Sequence, residues 1–273
     1  MTINCNGTLI DLSQPKVMGI VNVTPNSFYD GGKHTEMNAI IRQIDKMLSE
    51  GAAIIDIGAY SSKPSAEFVS EQEEANRLKK VVKGVLDTFP DIVLSVDTFR
   101  ASVAKSAVDE GVAMINDISA GCLDERMLPT VAELKVPYIM MHMRGTPQTM
   151  QTLTQYDDVV KEMIFYFSER IQKARSYGIS DLIIDPGFGF AKTLNQNYEV
   201  LSKLEVFKHL ELPILAGVSR KSMIYNVLET TPHEALNGTS VIHTIALQKG
   251  ATILRVHDVK EAVECIQLVS QLQ

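Results

Sequence analysis

Polar and ionisable side chains in this sequence stand at the ends of short apolar runs. Asn22, Asp56, Asp97, Asn116 with Asp117, His142, Asp185, the string Ser219-Arg220-Lys221-Ser222 and the triplet Arg255-Val256-His257 all have that setting. They divide by chemistry. Asp97, Asn116 and Asp185 offer carboxylate acceptors and one amide that both donates and accepts. That set matches a flat heterocycle with a guanidine-like edge better than it matches a metal. Lys63, Lys192, Lys221, Arg255 and His257 are cationic groups in a chain of net charge −7. A positive cluster against that background suits an anionic substrate, most simply a phosphate or pyrophosphate. Arg255 and His257 are two residues apart, so on a strand they point to one face. The sequence has no Ser-His-Asp or Cys-His arrangement for nucleophilic catalysis, and no His-rich set for a tightly held transition metal.

Structural roles compete at several positions. Asp117 and Thr98 also fit as helix N-caps, and His142, flanked by methionines, also fits as a satisfied core histidine. Lys192 also reads as a solvated lysine, and Gly187-Phe188-Gly189 as a turn. Capping explains single residues. It does not explain eight apolar runs that all stop at a polar group.

Those runs are Val17–Val23, Ile54–Gly58, Val93–Asp97, Met114–Asp117, Tyr138–His142, Leu182–Pro186, Ile214–Val218 and Ile253–Val256. Their near-continuous apolar character predicts parallel strands buried on both faces. Between them the apolar period is helical. Met37, Ile40, Ile41, Ile44, Met47 and Leu48 form one stripe over Glu36–Glu50, and Gly51 stands at the C-terminal cap. Similar stripes mark Glu71–Phe89 and Asp157–Tyr177, the latter followed by Gly178. Thr231, Pro232 and Glu234 have the spacing of a capping box opening a helix that runs to about Gly250. Eight strand–helix units in 273 residues predict one closed (β/α)8 TIM barrel, with a doubly wound open sheet as the alternative. Residues 1–273 read as a single domain, with a hairpin-like cap in the first 16 residues. In such a barrel the active site lies where strands end, which is where the polar residues fall.

Composition narrows the function. Hydrophobic residues make up 45% and charged residues 22%, the balance of a globular protein with a large core. No signal-peptide pattern and no membrane-length apolar stretch are visible, which predicts a cytoplasmic chain. Cys5, Cys122 and Cys265 follow no metal or redox spacing and read as reduced thiols. The acidic balance argues against a general nucleic-acid binder.

Six strings together resemble the dihydropteroate synthase family: Asn22-Val23-Thr24-Pro25-Asn26-Ser27-Phe28, Ser95-Val96-Asp97-Thr98, Ile115-Asn116-Asp117, Asp185-Pro186-Gly187-Phe188-Gly189-Phe190, Ser219-Arg220-Lys221-Ser222 and Arg255-Val256-His257. They span nearly the whole chain in order. The resemblance implies an enzyme of folate biosynthesis. It would join 6-hydroxymethyl-7,8-dihydropterin pyrophosphate to para-aminobenzoate and release pyrophosphate. By the same resemblance, Asp97, Asn116, Asp185 and Lys221 grip the pterin, and Arg255 stacks on it and reaches the pyrophosphate. Asn22 and His257 belong to the pyrophosphate and Mg²⁺ end, with Asn22 as the metal ligand. Thr24 opens a mobile loop over residues 24–32, and Phe190, Lys221 and Ser222 lie on the para-aminobenzoate side. A homodimer is also implied.

One departure stands out. The family's second loop carries Ser-Thr-Arg-Pro-Gly, and here the string is Ser61-Ser62-Lys63-Pro64-Ser65. Lysine is a point charge and cannot make arginine's bidentate fork on phosphate. Pterin-dependent methyltransferases share the barrel and the carboxylate–amide cluster. They do not require the Thr-Pro-Asn-Ser-Phe loop, the Ser-Arg-Lys-Ser string or the Arg-x-His pair. A paralogue that binds pterin or phosphate without turnover is the non-enzymatic alternative, and Lys63 is the feature that favours it.

Overall fold

The computed structural model describes residues 1–23, 33–60 and 69–272. The chain opens with an antiparallel hairpin, β1 (Thr2–Cys5) and β2 (Thr8–Asp11). Asn6 and Gly7 form its turn at φ +52° and +89°, the left-handed pair that a two-residue hairpin requires. Eight parallel strands follow: β3 (Lys16–Asn22), β4 (Ile54–Gly58), β5 (Leu94–Asp97), β6 (Met114–Asp117), β7 (Tyr138–Met141), β8 (Leu182–Asp185), β9 (Leu215–Ala216) and β10 (Ile253–Val256). Strands β3 to β8 pair in sequence order, and β10 lies between β9 and β3. A bridge between Ile184 and Ile214 joins β8 to β9 and closes the ring. The Ile184 amide donates to the Pro213 carbonyl there at 3.0 Å. The fold is therefore the (β/α)8 barrel and not the open sheet.

Helices cover the outside: α1 (Lys33–Ser49), α2 (Glu71–Thr88), α3 (Ala101–Asp109), α4 (Met127–Leu134), α5 (Val159–Ser176), α6 (Leu194–Ser202), α7 (Ser222–Tyr225), α8 (Leu236–Gln248) and α9 (Val259–Val269). Their apolar stripes meet the outward residues of the strands, such as Val17, Ile55, Val96, Ile115 and Leu254, in one continuous core. Gly51 and Gly178 take φ of +102° and +88° after α1 and α5, as their cap positions predict.

The inward residues are layered. Met18, Ile54, Val93, Met114, Ile139, Ile183, Leu215 and Ile253 form an apolar floor that packs against Ile3, Cys5, Ile10 and Leu12 of the hairpin. The expected N-terminal cap is thus a plug for the lower end of the barrel. A strand repeats its direction every two residues. Two positions beyond that floor come Asp56, Ser95, Asn116, Met141, Asp185, Gly217 and Arg255. The step from plug to polar mouth is therefore written into the strand period.

Two expectations are revised. Thr231 makes no side-chain cap; Pro232–Glu234 is a separate 3₁₀ turn and α8 starts only at Leu236. The cause is Arg220. Its Nη1 donates to the carbonyls of Pro232 and His233 at 2.8 and 2.6 Å, which in a continuous helix would accept from the next turn. Strand β9 is also only two residues long, shorter than Ile214–Val218.

Asp117 has a structural role. Its Oδ1 accepts from the Ser119 amide and hydroxyl, and its Oδ2 from the Gly121 amide and the Tyr138 hydroxyl, all at 2.6–2.7 Å. Thr98 is structural too: its hydroxyl accepts from the Arg100 amide, and its side chain hydrogen-bonds the buried Glu74. We predict that Asp117→Ala, which strands four buried donors, lowers the unfolding free energy by about 2–4 kcal/mol. Urea denaturation measures this, and a change below about 0.5 kcal/mol, the range of an ordinary surface substitution, would show that the network contributes little.

Candidate active site at the barrel mouth

Arg255 is the centre of the mouth. Its Nε donates to Asp56 Oδ2 at 2.7 Å and its Nη2 to Asp97 Oδ2 at 2.8 Å. Asn116 Nδ2 donates to the same Asp56 oxygen at 3.0 Å. Strands β4, β5, β6 and β10 thus deliver Asp56, Asp97, Asn116 and Arg255 to one bonded polar cluster, with Asp97 one step of two above Ser95. Asp56 is fully buried and Asn116 nearly so, whereas Arg255 and Asp97 keep a partly exposed face. Two carboxylates on one guanidinium make a fixed, charge-assisted frame. Asp56 is the residue that sequence reasoning left without a role. A carboxylate inside Ile54-Ile55-Asp56-Ile57 was the available signal, but its partner is 199 residues away.

Asp185 ends β8 on the far side of the mouth. Its Oδ1 accepts from the Gly187 amide at 2.7 Å. A methyl on Gly217 would lie 3.9 Å from Asp185 Oδ2 and 3.8 Å from Lys221 Nζ, so both groups border the space above that glycine. Lys221 Nζ donates to the Phe188 carbonyl at 2.6 Å and lies 4.9 Å from the centre of the Phe190 ring. Ser222 stands exposed at the first turn of α7, one residue further on.

Asn22 and His257 occupy the rim, both exposed. A methyl on Gly58 would lie 3.7 Å from Asn22 Oδ1 and from Asp97 Cβ, which puts Asn22 beside the Asp97 side of the mouth. His257 Nδ1 meets the Ser219 hydroxyl at 3.1 Å, and its amide donates to the same oxygen at 3.2 Å. Arg220 is turned away at φ +52°, and pairs with both oxygens of Asp258 at 2.7 and 2.9 Å. Among the described residues no group of three or more His, Cys, Asp or Glu side chains could hold a metal. Thr24, the 24–32 loop, Lys63 and the rest of its string lie outside the described residues.

Burial dominates the electrostatics of this mouth. It pushes the Asp97 carboxyl up to about 7 against the opposing pull of Arg255, with Asp56 adding to the rise. Burial raises Asp185 as well, and Lys221 opposes it. Lys221 is pushed down to about 8 by burial, and the neighbouring Asp185 limits the fall. Arg255 is the exception: Asp56 and Asp97 outweigh its desolvation and raise it further. His257 is lowered by desolvation and then by Arg255. Both effects favour the uncharged imidazole, a hydrogen-bonding group, over the cation its place in the sequence suggested.

The site can therefore hold a flat polar ring against Asp185, Asn116 and Asp97, and an anion against Arg255 and Lys221. Sequence and structure comparisons show the family. Residues 18–257 match the family described as pterin binding enzyme. The dihydropteroate synthase of Escherichia coli strain K12 is 43% identical over 271 residues, 98% of this chain and 95% of its own length. That of Haemophilus influenzae is 42% identical, covering 98% of each. A Yersinia pestis dihydropteroate synthase in complex with a sulfonamide drug superposes with a TM-score of 0.93 at 42% identity, covering 100% of this chain and 99% of its own. The Xanthomonas albilineans enzyme in complex with 7,8-dihydropteroate gives 0.88 at 38% identity, over 100% and 98%. The chain belongs to the pterin-binding enzymes and, within them, to the dihydropteroate synthases.

The raised Asp97 carboxyl has a thermodynamic signature. Its folded value lies above its unfolded one, so the folded state binds the proton more tightly. The associated stability is present below about pH 4 and is lost as pH rises through about 7. Asp97→Asn removes that dependence. In urea titrations between pH 4 and 7.5, the stability of the variant relative to the parent is expected to rise steadily with pH. A difference that stays flat would mean that Arg255 keeps Asp97 ionised throughout.

Proposed function

We propose that this chain condenses 6-hydroxymethyl-7,8-dihydropterin pyrophosphate with para-aminobenzoate to give dihydropteroate and pyrophosphate, as a step of folate biosynthesis. The observation that carries the reading is the bonded polar cluster in which Arg255 sits between Asp56 and Asp97, with Asn116 on the same Asp56 oxygen. It sets an aminopyrimidone-type edge and an anion side by side. The relatives support the second substrate: a Xanthomonas albilineans dihydropteroate synthase is known with 4-aminobenzoic acid and another structure of it with 7,8-dihydropteroate.

In this reading the pterin lies in the mouth with its guanidine-like edge on Asp185 and Asn116. The bond from the pterin methylene to the pyrophosphate oxygen breaks first, and both electrons leave with the oxygen. The electron-rich pterin carries the developing positive charge, and Asp97 and Asp185 stabilise it. Arg255, Lys221 and the His257 imidazole stabilise the leaving anion. The para-aminobenzoate nitrogen then forms the new C–N bond and loses a proton to the released pyrophosphate or to water. A neutral arylamine is already nucleophilic, so no strong general base is required. Phe190, Lys221 and Ser222 border the second substrate, and the family resemblance adds Lys63 and Thr24, which lie outside the described residues.

Mg²⁺ fits here in one way only. Among the described residues the donor set offers the exposed Asn22 amide oxygen and no carboxylate cage, which suits an ion that keeps its waters and arrives with the diphosphate. Asn22 would hold it, and its contribution is to neutralise charge on the departing pyrophosphate. We also place the chain in the cytoplasm, where its three cysteines stay thiols.

A homodimer belongs to the same reading. Val241 on α8, Leu268 on α9 and the following Leu272 are 53–72% exposed, an apolar face that a second copy would cover. Sedimentation at micromolar concentration is expected to give twice the chain mass, and a monomer would reject this surface as an interface. For the reaction, pyrophosphate release from the pterin pyrophosphate is expected with Mg²⁺ present, and to accelerate with para-aminobenzoate. Asp185→Asn is expected to lower kcat/KM roughly 100-fold, the size of a lost hydrogen bond to a charged group at a reacting centre. No release with Mg²⁺, with or without the amine, would reject the substitution.

A further inference from the structure

Two buried basic side chains take no part in the chemistry above. Lys192 is 5% exposed and His142 is 2% exposed. Lys192 Nζ lies 3.0 Å from each of three groups: His142 Nδ1, the Gly187 carbonyl and the Phe190 carbonyl. In its ammonium form Lys192 has three hydrogens, one for each of these acceptors, and none is left for a ligand. No described carboxylate pairs with it. Burial pushes it down to about 7, and the charges that act on it are Asp185, Lys221 and Arg144. His142 is held well below the usual histidine range by burial and by Lys192 and Arg144, so its ring is uncharged. With the Lys192 ammonium as donor, Nδ1 is the lone-pair acceptor, which assigns the proton to Nε2. Lys192 is neither the solvated lysine nor the anion-binding cation that its sequence position allows.

What it holds is an improbable loop. Between Asp185 and Lys192, the residues Gly187, Gly189 and Ala191 take φ of +67°, +83° and +48°. The left-handed region costs a residue with a side chain of the order of 1 kcal/mol, so Ala191 needs external support. Any Cβ at Gly187 would meet the His142 carbonyl at 2.3 Å, which shows how tightly the loop lies on β7. Bonds from outside fix it in turn: Asn197 Oδ1 accepts from the Gly189 amide at 2.7 Å, and the Tyr156 hydroxyl donates to the Ala191 carbonyl at 2.8 Å. Lys192 ties the loop's first and last turns together from beneath. The upper side of the same loop carries the Phe188 carbonyl that accepts from Lys221 and the Phe190 ring beside it.

We propose that the Lys192–His142 pair is a positioning device that fixes Phe190 and Lys221 for the arylamine substrate. It rests on the functional reading above. Asp97, Asn116 and Arg255 are held by β5, β6 and β10 and by Asp56 on β4, apart from this loop, whereas Asp185 touches it through the Gly187 amide and Lys221 through the Phe188 carbonyl. Phe190 lies within the loop, and three of the pterin-side groups lie outside it, so loss of the clamp should weaken the second substrate more than the first.

The test uses the full chain with Lys192→Met, which keeps the stem and removes the three donors, and two changes at His142. His142→Asn places an amide oxygen near the Nδ1 position, and His142→Leu does not. Lys192→Met is expected to raise KM for para-aminobenzoate about tenfold or more, the scale of a lost buried hydrogen bond. The Kd for the pterin pyrophosphate, by calorimetry, is expected to stay within about threefold of the parent. His142→Leu should shift the same KM in the same direction, and His142→Asn should restore it. Equal losses for both substrates, an unchanged arylamine KM, or His142→Asn behaving as His142→Leu would overturn the proposal. ¹⁵N-lysine NMR gives a readout apart from turnover. The parent should show one ammonium protected from exchange, lost in His142→Leu and kept in His142→Asn. Its absence from the parent would reject the clamp even if the enzyme is active. An inactive parent that keeps this signal would reject the reaction and leave the clamp standing.

Discussion

A guanidinium cannot be taken into a protein interior unless opposite charge meets it there. Arg255 is met twice, by Asp56 through Nε and by Asp97 through Nη2. That pairing ties β10 to β4 and β5 across the inside of the barrel. It also sets where the apolar interior must stop. Below it the inward positions are Met18, Ile54, Met114, Ile139, Ile183, Leu215 and Ile253 with the hairpin plug. Above it the strand ends open onto the mouth. If the charges sat one step of two lower, they would lie in the plug with no solvent and no substrate. If they sat one step higher, they would be rim charges with little energetic weight.

The barrel itself is legible from the sequence because its signal is repeated. Eight apolar runs, each followed by a helical stripe, leave few arrangements, and each run supports the others. The Asn-Gly turn and the glycines after α1 and α5 are local rules with local outcomes. The break before α8 is different. The sequence at Thr231 obeys the capping rule, but Arg220 competes for the carbonyls of Pro232 and His233. That competition is tertiary and leaves no trace in the spacing.

The site was legible at the same level and for the same reason. Parity along a strand, together with the position of its end, puts Asp97, Asn116, Asp185 and Arg255 into one mouth. Partner choice was not legible. Asp56 had the right parity and the right strand, yet nothing local shows that Arg255 and Asn116 both converge on its Oδ2. Lys192 failed in the other direction. Its charge and its place in a βα loop suggested an anion site, whereas burial and three acceptors make it part of the scaffold.

A count of occupied hydrogen-bonding positions separates the two kinds of polar residue around this mouth. Asp117 accepts four bonds from its own surroundings, and Lys192 donates all three of its hydrogens. Arg220 has four of its five N–H groups placed on Asp258, Pro232 and His233. Groups so filled can hold backbone in place but cannot recognise a ligand. Arg255 donates two of five, Asn116 one of two, and Lys221 one of three, while Asp185 Oδ1 takes Gly187 and Oδ2 borders the space above Gly217. Each of these is fixed by one or two atoms and keeps another for the substrate. Preorganisation of this kind means that binding does not have to order the side chains, and that the donors already face the place where charge develops. The chemistry assigned to this barrel needs no strong base and no nucleophilic side chain. It needs polar groups held still in a dry mouth with part of their bonding capacity left over, and the Asp56–Arg255–Asp97 frame supplies the stillness.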